Sequence, residues 1–206
     1  EANFLTTSPD ALNFLPRNKQ NYFIPNPADT SLETLENYKK DCNMDVFFAL
    51  SHGVHRGVLK TGKFDDRASF VKKLIDKTKN VKFDVYGIDK VQPIWADHYF
   101  KTISNSKMGL NLSRGEPIKY YSSDRITQII GNGLVTLIDE KTGYQDFFEK
   151  DEMVFYKNLS DLSEKISKIS RDEKLRKKIG KKGRNKYLKY FNSTLVADFI
   201  INKTFD

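Results

Sequence analysis

Between Val46 and Tyr156, short apolar runs alternate with stretches of helical period, and this pattern leaves few architectures open. The runs are Val46–Leu50, Lys82–Tyr86, Met108–Leu112, Leu134–Ile138 and Met153–Tyr156, each too short for a helix and bounded by polar residues or glycine. Between them, Asp65–Thr78 carries Phe70, Leu74 and Ile75 at helical spacing, with Asp65 and Asp66 in its first turn. Trp95–Ser104, the stretch from Ser123 and a short piece near Gln145–Phe148 also read as helix. Such an order predicts an α/β fold: a Rossmann-like parallel sheet with helices on both faces and right-handed crossovers. After residue 158 the pattern becomes helix only, at Leu159–Ser170, Asp172–Tyr190 and Thr194–Asn202, so a helical C-terminal segment spans 158–203.

The N-terminal part reads differently. Ser8–Leu15 is expected to be helical, with proline in its first turn, and Tyr22–Ile24 to be a short strand. Pro25-Asn26-Pro27 then stops both, because two prolines impose an extended link. A further helix is expected at Ser31–Lys40. The domain boundary therefore falls near residue 30: residues 1–30 are the tail of another domain plus a linker, and 31–206 are the main domain. The start at Glu1 rather than Met fits a portion excised from a longer protein.

Composition narrows the function classes. The single Cys42 excludes an internal disulfide framework, and three histidines without carboxylates at matching spacing give no metal pattern. No apolar run approaches the ~20 residues needed to span a bilayer and no signal-peptide pattern opens the chain, so the cytoplasm is the default setting. The net charge of +8 is concentrated in Lys157–Lys189, which holds 13 Lys/Arg against 4 Asp/Glu. The remainder is close to neutral, which disfavours a nucleic-acid binder. The basic segment suits a solvated helix face, or an anionic membrane surface or lipid-linked acceptor to which the protein is peripheral.

Ligands of open α/β sheets bind beyond the carboxyl ends of the strands, so the residues that follow each run carry the chemistry. Ser51 to Lys60 brings two glycines, His52, His55, Arg56 and Lys60 to that edge. Lys119 to Ile138 reads as a polar loop, a helix, a glycine turn and a buried strand. Ser122, Ser123 or Asp124 is placed to cap that helix, and Lys119 and Arg125 add charge to its positive end, where a phosphate would be stabilised.

Arg125, Gln128 and Gly133-Leu134-Val135 resemble the Arg-x-x-Glu-x-x-x-x-Gly-hydrophobic-Val pattern of GT-B glycosyltransferases, particularly the spore-coat-type, glycosyltransferase-like family. Asn21–Asp29 is similar to that family's interdomain segment, Asp45–Gly57 to the first strand and phosphate-facing loop of its second domain, Asp84–Gly87 to a strand ending beside the base, and Met108–Gly115 to the strand before the donor loop. The resemblance covers roughly residues 20 to 190. It implies the donor-binding half of an enzyme that transfers a sugar from a nucleotide-diphosphate sugar without a cofactor or catalytic metal, its acceptor domain lying upstream. By that resemblance Arg56, Lys60, Lys119, Ser122, Ser123 and Arg125 take the diphosphate. His52, Glu116, Asp124 and Gln128 face the sugar and ribose, and Gly87 and Trp95 flank the base, although Trp95 equally suits a core. Gln128 stands where the family has Glu, a neutral amide in place of a charged acceptor. A non-catalytic nucleotide- or phosphate-sugar-binding module, and a basic membrane or nucleic-acid docking domain, are the other classes the residues allow.

Overall fold

Val46 and Phe48 enter one hydrophobic cluster while Phe47, between them, enters another, because successive side chains of a strand leave opposite faces. Both faces of the sheet that holds them are therefore buried, as a parallel sheet requires. The computed structural model describes residues 2–16, 18–50 and 65–205. Its strands are β1 (Ala2–Leu5), β2 (Gln20–Phe23), β3 (Met44–Ala49), β4 (Phe83–Tyr86), β5 (Ser106–Asn111), β6 (Val135–Asp139) and β7 (Val154–Tyr156). Its α-helices are α1 (Arg67–Lys77), α2 (Ala96–Ile103), α3 (Asp124–Gly131), α4 (Leu159–Arg171), α5 (Glu173–Tyr190) and α6 (Ser193–Phe205).

The five strands β3 to β7 form one sheet in the order β4-β3-β5-β6-β7, every pair parallel. Val46 lies opposite Phe83 on one side and Met108 on the other, and Leu137 opposite Val154. On one face, Val71 and Leu74 of α1 and Leu162, Ile166 and Ile169 of α4 pack on Val46, Phe48, Met108 and Leu137. On the other, Ile103 of α2 and Ile129 of α3 pack on Phe47. Gly109 of β5 permits that second contact, since a Cβ there would come within 2.5 Å of the Ile129 side chain. Each such apolar side chain, fully buried, contributes roughly 1.5–3 kcal/mol. The Rossmann-like fold and helical C-terminal segment expected from the sequence are both present, with strand ends shifted by a residue or two. Among the described residues, no helix is long and apolar enough to cross a membrane.

The N-terminal 40 residues depart from expectation. Ser8–Leu15 forms only one 3-10 turn, Pro9–Ala11, after which Leu12 is extended. Phe14 is 78% exposed, so a helix there has no apolar face to bury. Ser31–Lys40 likewise reduces to a 3-10 turn at Asn37–Lys39. The Asp29 carboxylate takes both the N–H and the hydroxyl of Ser31 (2.9 and 2.8 Å), an Asx turn that competes with helix. Farther along, the N–H groups of Leu35 and Asn37 donate to Asn132 instead of to carbonyls four residues back. The sequence does not reveal β1, four residues whose pairing with β2 is parallel and non-local; Phe4 and Tyr22 of the pair meet Phe199 of α6.

Helix α5 is where charge and burial part company. Arg176 is fully buried, donating to the carbonyls of Asn37 (2.7 Å) and Lys40 (2.9 Å) and to Glu173. Arg184 donates to the carbonyls of Gly131 (2.8 Å) and Glu33 (3.1 Å). These two arginines tie the 29–40 segment and the end of α3 to the C-terminal helices.

Candidate functional site

The strand order changes direction between β3 and β5, the first elements on either side of the switch, and a crevice opens beyond their carboxyl ends. Arg125 spans it. From the first turn of α3 its guanidinium donates to the carbonyls of Leu112 (3.0 Å), just past β5, and Ala49 (3.3 Å), the last residue of β3. Its guanidinium carbon lies 5.3 Å from the centre of the Phe48 ring. Burial, and then the charge of Arg67, push the Arg125 pKa down from its ordinary value.

A cavity of about 390 Å³ lies over this point, lined by Ala49, Leu50, Arg67, Ile94, Trp95, Ala96, Tyr99, Phe100, Leu112, Arg114, Tyr121, Ser123, Asp124, Arg125 and Gln128. Its size falls within the range of small-molecule sites. Among the described residues, three arginines line it, from α1 (Arg67), the segment after β5 (Arg114) and α3 (Arg125), against one lining carboxylate, Asp124. Arg67 is gripped by Asp65, which accepts from its Nε at 2.8 and 3.1 Å and also from Nη2. The Asp65 oxygen is 4.0 Å from Nε of Arg114. Hydrogen bonding from Arg67 holds the Asp65 carboxyl below its ordinary pKa, against the opposing effect of burial. Tyr99, on the opposite wall, has its phenol pushed up by burial.

Helix α3 brings four of the expected residues together, because Asp124, Arg125 and Gln128 sit on its first two turns and Ser123 at its N-cap. Ser123 has extended N-cap backbone, but no side chain caps the helix, contrary to expectation. Ser122 is buried, and its Oγ accepts from Asn26 N–H at 2.8 Å, so that hydroxyl serves the Pro25-Asn26-Pro27 link. The Asp124 carboxylate meets the side-chain amide of the same Asn26, and Thr127 and Tyr187 donate to the Asn26 carbonyl (2.9 and 2.7 Å). Trp95 is 61% exposed at the start of α2 and lines the cavity, so it is not a core anchor.

Lys119 and Glu116 are exposed and do not line the cavity; the Lys119 ammonium lies 4.8 Å from the Tyr120 ring centre instead. Gly87 follows β4 with φ +75°, where a Cβ would fall 2.1 Å from the Leu50 carbonyl oxygen, so it packs behind Leu50. His52, Arg56 and Lys60 lie outside the described residues. Sequence reasoning missed Arg67, which reads as a surface residue of an amphipathic helix, and passed over Arg114 for its neighbour Glu116. The one available signal was the Asp65-x-Arg67 spacing at a helix start. In the basic segment, Lys177, Lys178, Lys182 and Lys186 pair with Asp41, Asp151 and Glu152, so much of its charge is matched from other elements. Among the described residues, no group of three or more His, Cys, Asp or Glu is placed to hold a metal ion.

The profile of the family described as Glycosyl transferase-like matches residues 67–202. No curated protein matches the chain in sequence. Solved structures share its fold. A sucrose-phosphate synthase from Thermosynechococcus elongatus superposes with a TM-score of 0.66 at 14% identity, covering 98% of this chain and 57% of that one. TarM gives 0.63 at 13% identity, covering 92% and 40%. An alpha-glucosyltransferase in complex with UDP-glucose and DNA containing an abasic site gives 0.58 at 13% identity, covering 94% and 60%. The chain thus spans between 40% and 60% of the length of these structures, matching one Rossmann-like half of the two-domain GT-B fold.

Proposed function

We propose that this chain, which belongs to the glycosyl transferase-like family, binds a nucleotide-diphosphate sugar in the cavity at the β3/β5 switch and forms the donor-binding half of a glycosyltransferase. The observation that carries this reading is the convergence of Arg67, Arg114 and Arg125 on one cavity beside the N-terminus of α3. Three guanidiniums brought together at a helix N-terminus form a site for a multiply charged anion, and Arg can offer a phosphate two parallel hydrogen bonds. In sugar transfer the negative charge grows on the departing diphosphate, and fixed cations in a partly desolvated cleft stabilise it as it forms. The exposed Trp95, with Ile94, offers an apolar ledge for a base, and Asp124 and Gln128 offer acceptor atoms to hydroxyls. A uridine nucleotide is the first to try, since the alpha-glucosyltransferase of like fold holds UDP-glucose.

In this reading residues 31–206 are the donor domain, residues 1–30 join it to an acceptor-binding domain, and the acceptor enters from across the crevice. Calorimetric titration with UDP, UDP-sugars and other nucleoside diphosphates tests it. One-to-one binding is expected, with Arg125→Ala weakening it by about 10- to 150-fold, the loss of 1.5–3 kcal/mol from a charge-assisted hydrogen bond. No binding by any nucleoside diphosphate, or identical binding by Arg125→Ala, would remove the basis of the assignment.

A further inference from the structure

Arg67 and Arg114 reach the cavity from segments that are far apart in the chain, and among the described residues one carboxylate lies within 4.0 Å of both. Building on the donor-site reading above, we propose that Asp65 is the positioning residue of the site: it clamps Arg67 and reaches Arg114 so that two guanidiniums face a diphosphate as one preformed pair.

The geometry is specific. Asp65 accepts from the backbone N–H of Arg67 at 3.1 Å as well as from Nε and Nη2, which fixes the start of α1 and the arginine rotamer together. The Asp65 side chain is only 8% exposed and does not line the cavity, so it holds the arginine from behind. With Nε and Nη2 committed to Asp65, and no bond to Nη1 among the described residues, the Nη1 side of Arg67 is the one to meet a ligand. An arginine already clamped loses little further rotamer freedom on binding an anion, which is the general benefit of preorganisation. The carboxylate also answers a problem of like charges. Burial, and then the charge of Arg67, push the Arg125 pKa down, and Arg114 adds a third cation at the same cavity. Asp65 is the counter-ion that allows this crowd to persist before any ligand arrives.

Simple Coulomb reasoning predicts the opposite effect, and that makes the idea testable by sign. A carboxylate beside a diphosphate site repels the ligand, so Asp65→Asn should tighten binding if repulsion dominates. If positioning dominates, Asp65→Asn should loosen it. The experiment is calorimetric titration of UDP and of inorganic pyrophosphate into the parent, Asp65→Asn, Asp65→Glu, Arg67→Ala and the Asp65→Asn/Arg67→Ala double variant. The expected result is a loss of about 10-fold for both ligands in Asp65→Asn, recovery to within about 3-fold in Asp65→Glu, and a further loss of no more than about 3-fold when Asp65→Asn is added to Arg67→Ala, because most of the Asp65 effect runs through Arg67 and only its longer reach to Arg114 is left. Should Asp65→Asn fail to fold, Arg67→Lys carries the test: it keeps the charge but loses the two-point grip, and is expected to bind about 10-fold more weakly. Unchanged or tighter UDP binding in Asp65→Asn, or full affinity in Arg67→Lys, would overturn the positioning role while leaving the donor-site reading intact. A parent that binds no nucleoside diphosphate would instead refute that reading, and this inference with it.

Discussion

Arg176→Met separates the cations of α5 that are structural from those that are solvated. Arg176 is 0% exposed, and its guanidinium satisfies the Asn37 and Lys40 carbonyls, the first of them buried. Asn37 is itself a hub, its amide donating to the Ile103 and Ser106 carbonyls at 2.8 Å each. Methionine preserves most of the apolar stem, so little hydrophobic stabilisation is lost. What is lost is the pair of charge-assisted bonds to carbonyls, and the buried Asn37 oxygen is left without the strongest of its partners. An orphaned buried acceptor costs about 1–3 kcal/mol, and the Lys40 carbonyl, less enclosed, adds about 0.5–1. The ion pair with the half-exposed Glu173 contributes at most about 1 kcal/mol. The total is about 3 kcal/mol, or a fall of about 6–12 °C in Tm for a domain of this size. Urea denaturation followed by circular dichroism measures it, with Lys181→Met, on the exposed face of the same helix, as the control that should stay within about 0.5 kcal/mol. A loss below 1 kcal/mol in Arg176→Met would show that water replaces the guanidinium and that the inward arginine is not what holds the 37–40 turn.

Three other outcomes follow from particular contacts. Gln128→Glu, on the cavity wall one turn beyond Asp124, should preserve or tighten nucleotide binding by offering a charged acceptor to ribose hydroxyls; titration showing a loss above about 10-fold would argue that Gln128 meets phosphate instead. Gly87→Ala should destabilise by more than about 3 kcal/mol, since a left-handed φ costs about 1–2 kcal/mol for a residue with a Cβ and the Leu50 carbonyl leaves no room; a denaturation midpoint like the parent's would contradict this. Hydrogen bonds from Ser193 and Ser31 hold the Asp29 carboxyl down from 3.8 to about 2, so its contribution to stability is present above pH ~4 and lost as pH falls toward 2. Ser193→Ala should therefore reduce the steepness of acid unfolding in that window, as seen in a pH titration of the Tm.

The parallel sheet was legible in the sequence because its requirement is local. A strand buried on both faces must be a short apolar run, and Val46–Leu50 and Leu134–Ile138 can be little else. The helix holding Asp124, Arg125 and Gln128 was legible for the same reason, and with it one wall of the cavity. Ser31–Lys40 departs from the expected helix in part because the N–H groups of Leu35 and Asn37 are satisfied by Asn132, about a hundred positions away, and no local pattern announces such a partner. The cations show the division most clearly. Their number and position along the chain are a property of the sequence, but only the tertiary structure decides that Arg176 and Arg184 turn inward, that Lys178 and Lys182 stay outside, and that Arg67 and Arg114 join Arg125 at one cavity. An arginine turns inward where the fold supplies acceptors to receive it: for Arg176 and Arg184 these are carbonyls distant in the chain, whereas the Asp65 that holds Arg67 is local and only the meeting with Arg114 and Arg125 is tertiary.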